Sequence, residues 1–391
     1  MRVAAPGVED GVVSDTPVLS DGVVTLRAHE LSDVDGMVEQ CVDPESVRWT
    51  TVPVPYDRSA AESFITKEVP DGWRTRRELC FAIEATHPDG ERRFAGSLSL
   101  RVMGYGLAEI AFGLHPAVRG QGVCSRAVKL LLDWGFQQPE IDVVVWFAYV
   151  GNWSSWRVAW ANGFTFHGTI QKFLPQRGER RDAWQGSLRA EDTREPKHRW
   201  NDPPVLESER LRLRPHREDD AVRYGELLAD ERSRRYVARG SGLFNVPSTA
   251  YVVHRAREFN AKGERFDWAI TDRATDEFIG QIQLFHVGGM DPTSAEAGYS
   301  VHPSRRGMGV VTEALRMLVE WSFRHKDDGG LGLRLLGLGI STSNSASRHV
   351  AEKAGFTHVA TLPQYFPSGE TGFSDEMIYH QLNPAWQPSW E

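Results

Sequence analysis

Apolar positions along the chain change period repeatedly, from two residues to about 3.6 and back. Val23–Ala28 alternates and predicts a strand. Ser32–Cys41 predicts a helix with Ser32 as N-cap candidate, and Ser59–Glu68 a second helix. Leu79–Ala85 and Phe94–Arg101 predict a hairpin around the turn His87–Glu91, and Ala108–Leu114 the next strand. Then comes an amphipathic helix with Ala127, Leu130, Leu131 and Trp134 at i, i+3, i+4 and i+7. Ile141–Val150 reads as a buried strand, and Ser154–Asn162 as a helix closed by Gly163. Thr165–Lys172 and Ala183–Leu188 complete the set. The order β-α-α-β-β-β-α-β-α-β-β predicts a mixed α/β layer, not alternating parallel units.

The pattern then starts again. GLHPAVRGQGVCSRAVKLLLDWGF (Gly113–Phe136) is answered by SVHPSRRGMGVVTEALRMLVEWSF (Ser300–Phe323) at a constant offset of 187. Glu109 and Glu296 share that offset, as do Val24–His29 and Leu211–His216. A second block, NWSSWRVAWANGF from Asn152, is answered by NSASRHVAEKAGF from Asn344 at an offset of 192. The five extra residues fit the Gly-rich stretch Lys326–Gly332, which suits a loop insertion into an otherwise equal fold. The charged, proline-containing stretch between the copies reads as a linker. The expected organisation is a frayed N-terminus at 1–14, one domain at 15–190, a linker at 191–206 and a second domain at 207–385.

Composition narrows the function. The 391 residues carry 45 Lys+Arg against 53 Asp+Glu, a formal net charge of −8, with 40% hydrophobic and 25% charged residues. That is the profile of a folded globular chain of about two domains. The acidic balance argues against a general nucleic-acid binder. No apolar run approaches the roughly 20 residues of a membrane span. The N-terminus is acidic and broken by Gly and Pro, unlike a secretory signal. Three cysteines, Cys41, Cys80 and Cys124, form neither a disulfide framework nor a metal-ligand spacing. A reducing cytoplasm is the expected compartment, and the histidines contain no metal-binding helix motif.

Two glycine turns carry the candidate chemistry. Arg119–Cys124 (RGQGVC) and Arg306–Val311 (RGMGVV) each stand between a strand and a helix. Backbone N–H groups at a helix start, approached closely over glycine, suit a phosphate or pyrophosphate. The same residues also suit a plain strand–helix turn. A dinucleotide fingerprint would need a third Gly where Ser125 and Thr312 stand, and a P-loop would need Gly-Lys-Ser/Thr.

Pro-x-x-Arg-Gly-x-Gly, an amphipathic helix, a strand, then Asn-x-x-Ser-x-x-x-Ala-x-x-x-Gly-Phe resembles the GNAT superfamily of N-acetyltransferases, in particular its RimJ/RimL branch. The resemblance spans both halves. It implies two GNAT-like domains, each a mostly antiparallel mixed sheet flanked by helices, with a V-shaped strand splay for acyl-CoA. It also implies acetyl-CoA as co-substrate and no metal.

By that resemblance, Arg119, Gly120, Gln121, Gly122, Val123 and Cys124 bind the CoA pyrophosphate, as do Arg306, Gly307, Met308, Gly309, Val310 and Val311. The last position is usually Gly or Ala, so the bulk of Val311 favours the first half as the CoA site. The strand before each turn, with Phe112 and Leu114 or Val301, is expected beside the pantetheine arm, its free N–H facing the thioester carbonyl. Asn152 and Asn344 are expected to orient loop and pantetheine. Glu109 and Glu296 are the expected bases for the amine. Ser155 and Ser347 are expected near the sulfur, with an ordinary helix-cap serine as the alternative. The Tyr that many members place eight residues after the Asn is Trp160 or Glu352 here. Trp146, Trp153, Trp156 and Trp160 read either as an acceptor-stacking cluster or as core.

The expected activity is transfer of an acetyl group to a primary amine: the N-terminal α-amine of a peptide or protein, or a specialised-metabolite amine. One half is expected to be catalytic and the other weakened, or shaping the acceptor groove. Inactivation of an amine antibiotic and a non-catalytic acyl-CoA sensor are the competing readings. The partner is then an amine-bearing small molecule or peptide, with neither nucleic acid nor membrane, in a monomer or homodimer. Asp43–Asp57 and Pro247–Gly263 are the expected substrate loops.

Overall fold

The computed structural model describes residues 16–236, 249–368 and 372–388. The expected frayed stretch 1–14 lies outside the described residues. The chain divides into two compact units between Lys197 and His198, inside the stretch read as a linker. That stretch is held on both sides of the division. The Arg194 guanidinium lies 4.4 Å over the Phe136 ring, and the Trp268 indole donates to the Pro204 carbonyl at 2.8 Å.

The first unit is built on eight strands: β1 Leu19–Ser20, β2 Thr25–Arg27, β3 Glu78–Thr86, β4 Arg92–Gly104, β5 Leu107–Leu114, β6 Val143–Tyr149, β7 Thr165–Gln176 and β8 Glu179–Arg189. Their spatial order is β1-β2-β3-β4-β5-β6-β8-β7. Neighbours are antiparallel except β5 and β6. Its helices are α1 Val34–Val42, α2 Pro44–Trp49, α3 Arg58–Ser63, α4 Val69–Thr75, α5 Val123–Gly135 and α6 Trp153–Ala161.

The second unit repeats the plan with β9 Leu206–Glu207, β10 Leu211–Arg214, β11 Arg265–Asp272, β12 Phe278–Phe285, β13 Ser294–Val301, β14 Leu335–Ser341, β15 Thr357–Ser368 and β16 Gly372–Leu382. The order is β15-β16-β14-β13-β12-β11-β10-β9, with β13 and β14 parallel. Its helices are α7 Ala221–Ala229, α8 Glu231–Arg234, α9 Thr249–Ala261, α10 Val310–Phe323 and α11 Ser345–Ala354.

The parallel pairs are short. β5 and β6 are in register only from Leu107/Val143 to Ile110/Trp146. β13 and β14 pair only from Ser294/Leu335 to Glu296/Gly337. Beyond those residues β5 stays with β4 and β13 with β12, while β6 and β14 follow β8 and β16. The strands part, which is the expected V-shaped splay in both units. At the far end of each splayed strand a glycine lies opposite: Gly96 across from Leu114 and Gly280 across from Val301. A Cβ on Gly96 would stand 2.3 Å from the Gly113 carbonyl oxygen, and one on Gly280 would stand 2.6 Å from that of Ser300. The glycines let the splayed strand lie close against its remaining neighbour. Their offset is 184 residues, not 187, so the sequence repeat does not align them.

Several sequence expectations need correction. Ser32 does not cap a helix. Asp33 accepts the Glu30 amide at 2.9 Å around a 3-10 turn, and α1 starts at Val34. The second predicted helix continues past Glu68, through a π turn at Phe64–Glu68, into α4. Of the stripe predicted for α5, Ala127 and Leu131 are buried, but Val128 and Leu132 complete the inner face. Leu130 and Trp134 are partly exposed, and Trp134 packs edge-on to Phe81.

Neither predicted substrate loop is irregular throughout. Asp43–Asp57 contains α2, with Pro44 at its first position and Asp43 accepting the Ser46 amide at 3.0 Å. Of Pro247–Gly263, residues 247 and 248 lie outside the described residues. Thr249–Ala261 is helix, burying Val252, Val253 and Ala256. Two of the four tryptophans take the core alternative, while Trp153 and Trp160 stay partly exposed. Trp146 and Trp156 are fully buried, and Trp156 packs on Phe166 at 4.1 Å and on Trp184 at 4.6 Å.

Gly280→Ala introduces only a methyl group, at ordinary φ, so its effect isolates the close approach of β12 and β13. A loss of ~1–3 kcal/mol is expected from the overpacking, read as a lower urea midpoint at unchanged slope. An unchanged midpoint would mean that the strands tolerate a wider spacing.

Candidate active site

Each splay opens toward a glycine turn. Gly120 and Gly122 have φ of +75° and +76°, and Gly307 and Gly309 have +73° and +75°. These are left-handed values that glycine adopts without strain. A Cβ on Gly120, Gly122 or Gly307 would meet nothing within 4 Å, so that side of each turn faces open space. Gly122 and Gly309 are the N-cap residues of α5 and α10. The amides of a first helical turn have no acceptor within their own helix. Open glycines, orphan amides and the positive end of a helix dipole fit a pyrophosphate.

The two turns look alike in this respect. Cys124 is 9% exposed and Val311 7%. Both side chains lie inward, so burial gives no support to the expected crowding of phosphates by Val311. The second turn differs in having Arg210 beside it, paired to Glu313 and donating to the Met308 carbonyl at 3.4 Å.

The arginines turn away from the open side. Arg119 binds Asp43 at 2.7 Å, Ser46 Oγ at 2.9 Å and the Leu114 carbonyl at 3.2 Å. Arg306 pairs with Asp230 and donates to Ser233 Oγ at 2.9 Å. Both brace the turn against an N-cap, since Asp43 caps α2 and Asp230 caps α8. His115 and His302 add a second brace, with Nε2 at 2.9 Å from Glu39 and 3.0 Å from Glu226. Sequence reasoning missed these partners. The signal was present: Glu39/Glu226, Asp43/Asp230 and Ser46/Ser233 all repeat at 187.

The predicted bases stand at the fork. Glu109 is one residue before the last parallel pair, and Glu296 is in the last. Their surroundings differ. Glu109 is 26% exposed and lies 3.6 Å from Arg101. Burial pushes its carboxyl above the ordinary range, with Arg101 opposing and Glu78 adding. Glu296 is 58% exposed, with His286 Nδ1 at 3.8 Å.

By strand register, Val145 and Phe147 share the face of Glu109, and Phe147 packs on Phe173 at 5.1 Å. The matching residues beside Glu296 are Gly337 and Gly339. A Cβ on Gly339 would stand 2.2 Å from Glu376 Oε1, so a second carboxylate, absent from the sequence predictions, lies over that glycine. Burial, then Glu296, raises its pKa.

Ser155 and Ser347 are not the caps of their helices. Asn152 accepts the Ser155 amide at 3.1 Å, and Asn344 accepts that of Ser347 at 3.2 Å. The asparagines cap, and the serine hydroxyls are left for other partners. Trp146 Nε1 donates to Ser155 Oγ at 2.9 Å. Tyr299 Oη lies 2.9 Å from Ser347 Oγ and 3.3 Å from the Ser347 carbonyl oxygen. Phe112, Leu114 and Val301 lie on the unpaired stretches of β5 and β13. Among the described residues no His/Cys/Asp/Glu cluster could hold a metal, and no helix is long and apolar enough to cross a membrane.

Residues 24–165 and 210–357 each match the acetyltransferase (GNAT) domain model. The chain belongs to the GNAT acetyltransferase family. It is 30% identical to the uncharacterized N-acetyltransferase YoaA of Bacillus subtilis over 186 residues, 46% of this chain and 98% of that protein. A solved structure of Mycobacterium smegmatis RimJ in complex with CoA-disulfide is similar at 21% identity and a TM-score of 0.40. It covers 45% of this chain and 88% of that one. The microcin C7 self-immunity acetyltransferase MccE, in complex with acetyl-CoA and AMP, is similar at 20% identity and a TM-score of 0.39. It covers 43% of this chain and 93% of that one. Membership in this GNAT family makes the chain an acyltransferase of the N-acetyltransferase type, with acetyl-CoA as its co-substrate.

The Arg306–Asp230 brace has a signed pH dependence. Pairing with Arg306, together with the Ser233 amide, holds the Asp230 carboxyl down at about 2, against an ordinary value of 3.8. A depressed acid stabilises the folded state fully above the unfolded pKa, and that support is lost as pH falls through the folded one. The brace therefore holds above pH ~4 and fails progressively toward pH 2. Asp230→Asn should flatten the stability profile across that window and weaken acetyl-CoA binding at the second turn at pH 7. A profile unchanged from the parent chain would show that the brace is idle.

Proposed function

We propose that this GNAT protein transfers the acetyl group of acetyl-CoA to a primary amine at the splay of its β-sheets. The N-terminal α-amine of a peptide or a specialised-metabolite amine is the proposed acceptor. The observation that carries the reading is the placement of Glu109 and Glu296 where the parallel strands stop pairing, one strand segment before an open glycine turn.

The turns and the first amides of α5 and α10 would hold the pyrophosphate. The unpaired edges at Ala111–Leu114 and Ala297–Val301 would lie along the pantetheine and offer N–H groups to the thioester carbonyl. Acetyl-CoA supplies an acyl carbon on a thiol leaving group. The carboxylate takes the proton that the amine nitrogen must lose. An α-amine with pKa near 8 is partly neutral at pH 7, so an exposed carboxylate such as Glu296 suffices, whereas a lysine amine near 10.4 needs stronger help. Three buried, unpaired cysteines support a reducing cytoplasm as the compartment.

The glycines of both turns have closely matching φ values, and each turn keeps an open side, so we expect two acetyl-CoA molecules per chain, not one at the first half alone. Native mass spectrometry of the titrated chain reads this directly. Gly122→Val and Gly309→Val should each remove one. No bound acetyl-CoA would overturn the reading. Turnover with peptides of free N-terminus should rise with pH and level near 8, and Glu109→Gln combined with Glu296→Gln should depress it ten- to a hundredfold. Equal acetylation of N-blocked lysine peptides would move the acceptor class away from α-amines.

A further inference from the structure

The serine that follows each motif asparagine receives a hydrogen-bond partner at the same distance in both units, but from residues that the repeat does not equate. In the first unit the partner is Trp146 on β6, 2.9 Å from Ser155 Oγ. By register Trp146 corresponds to Leu338, which has no donor. In the second unit the partner is Tyr299 on β13, 2.9 Å from Ser347 Oγ. Its counterpart at offset 187 is Phe112, which again has no donor. Two different side chains on two different strands thus reach the same serine oxygen.

An indole N–H only donates, so the hydrogen of Ser155 must point elsewhere. Tyr299 can do the same. Its hydroxyl is largely buried, and burial pushes its pKa up to about 12, so it remains protonated across the working range. It sits on the part of β13 that has left β14, within the splay. The Ser347 carbonyl oxygen at 3.3 Å offers its hydrogen a second position, longer than the first.

We propose that Tyr299 is the positioning residue that turns the Ser347 hydroxyl into a hydrogen-bond donor for the departing thiolate, the part that Trp146 plays for Ser155. This rests on the acetyltransferase reading above. The bonds balance without a further reactant. The amine nitrogen bonds to the acyl carbon, the carbon–sulfur bond breaks and its electron pair leaves on sulfur. The proton lost by nitrogen goes to Glu296. Ser347 keeps its own proton and stabilises the sulfur charge through it. Tyr299 donates to Ser347 Oγ, which polarises that O–H and fixes its direction.

The test uses the full chain carrying Glu109→Gln and Ser155→Ala, so that turnover reports the second unit. Tyr299→Phe is the variant, and Phe112 shows that the fold accommodates phenylalanine at the matching position. We expect kcat to fall ten- to a hundredfold with KM for acetyl-CoA within twofold. Ser347→Ala should cause a similar fall, and the double variant should fall no further, as for residues that act as one unit. A binding readout accompanies this. Affinity for free CoA should rise with pH as its thiol ionises, the rise should vanish in Tyr299→Phe, and desulfo-CoA should show none in either chain. An unchanged kcat, effects that simply multiply, or a rise in KM alone would overturn the proposal. If the parent chain binds CoA but acetylates no amine, the functional reading of this unit fails, and the pH dependence of CoA binding alone decides the role of Tyr299.

Discussion

A parallel strand pair that stops pairing partway leaves one strand edge without protein hydrogen bonds. Buried backbone groups in that state are costly, and on the proposed reading the open edge meets the acyl donor. β5 leaves β6 after Ile110, and β13 leaves β14 after Glu296. The rest of each unit serves that opening. Gly96 and Gly280 let the departing strand settle on its other neighbour. The turn beyond it presents helix-start amides over open glycines. An arginine–aspartate brace and a histidine–glutamate brace hold the turn from behind.

The two units keep this frame and vary what surrounds it. The turns and their braces repeat at an offset of 187. The carboxylates and serines repeat as well, but the side chains around them do not. Glu109 is hemmed by Arg101, Val145 and Phe147, whereas Glu296 looks over Gly337 and Gly339 toward Glu376. Trp146 and Tyr299 meet their serines from different strands. On the proposed reading, the two units share the means of holding a donor and differ on the acceptor side.

What the sequence made legible follows from this division. The turns, the amphipathic helices and the placement of Glu109 and Glu296 come from strict positional repetition, which sequence comparison of the two halves reads directly. The braces were equally periodic but span about 75 residues, so each partner looked like an unremarkable charge until folding joined them. Tyr299 was hidden for the opposite reason: its meaning lies in a difference from Phe112, and in contact with Ser347 across 48 positions. The glycines opposite the splay were hidden by a three-residue change in offset. The Asn152 and Asn344 caps show a local effect deciding a role. By accepting the Ser155 and Ser347 amides, the asparagines leave the serine hydroxyls to other partners.

If each unpaired edge and its glycine turn form one acyl-CoA site, acetyl-CoA must shield both from solvent. Amide hydrogen exchange of the full chain, with and without saturating acetyl-CoA, reads this residue by residue. Slowed exchange is expected at 111–114 with 120–124 and at 297–301 with 307–311. Protection at neither stretch, or centred away from both splays while acetyl-CoA is bound, would place the site elsewhere.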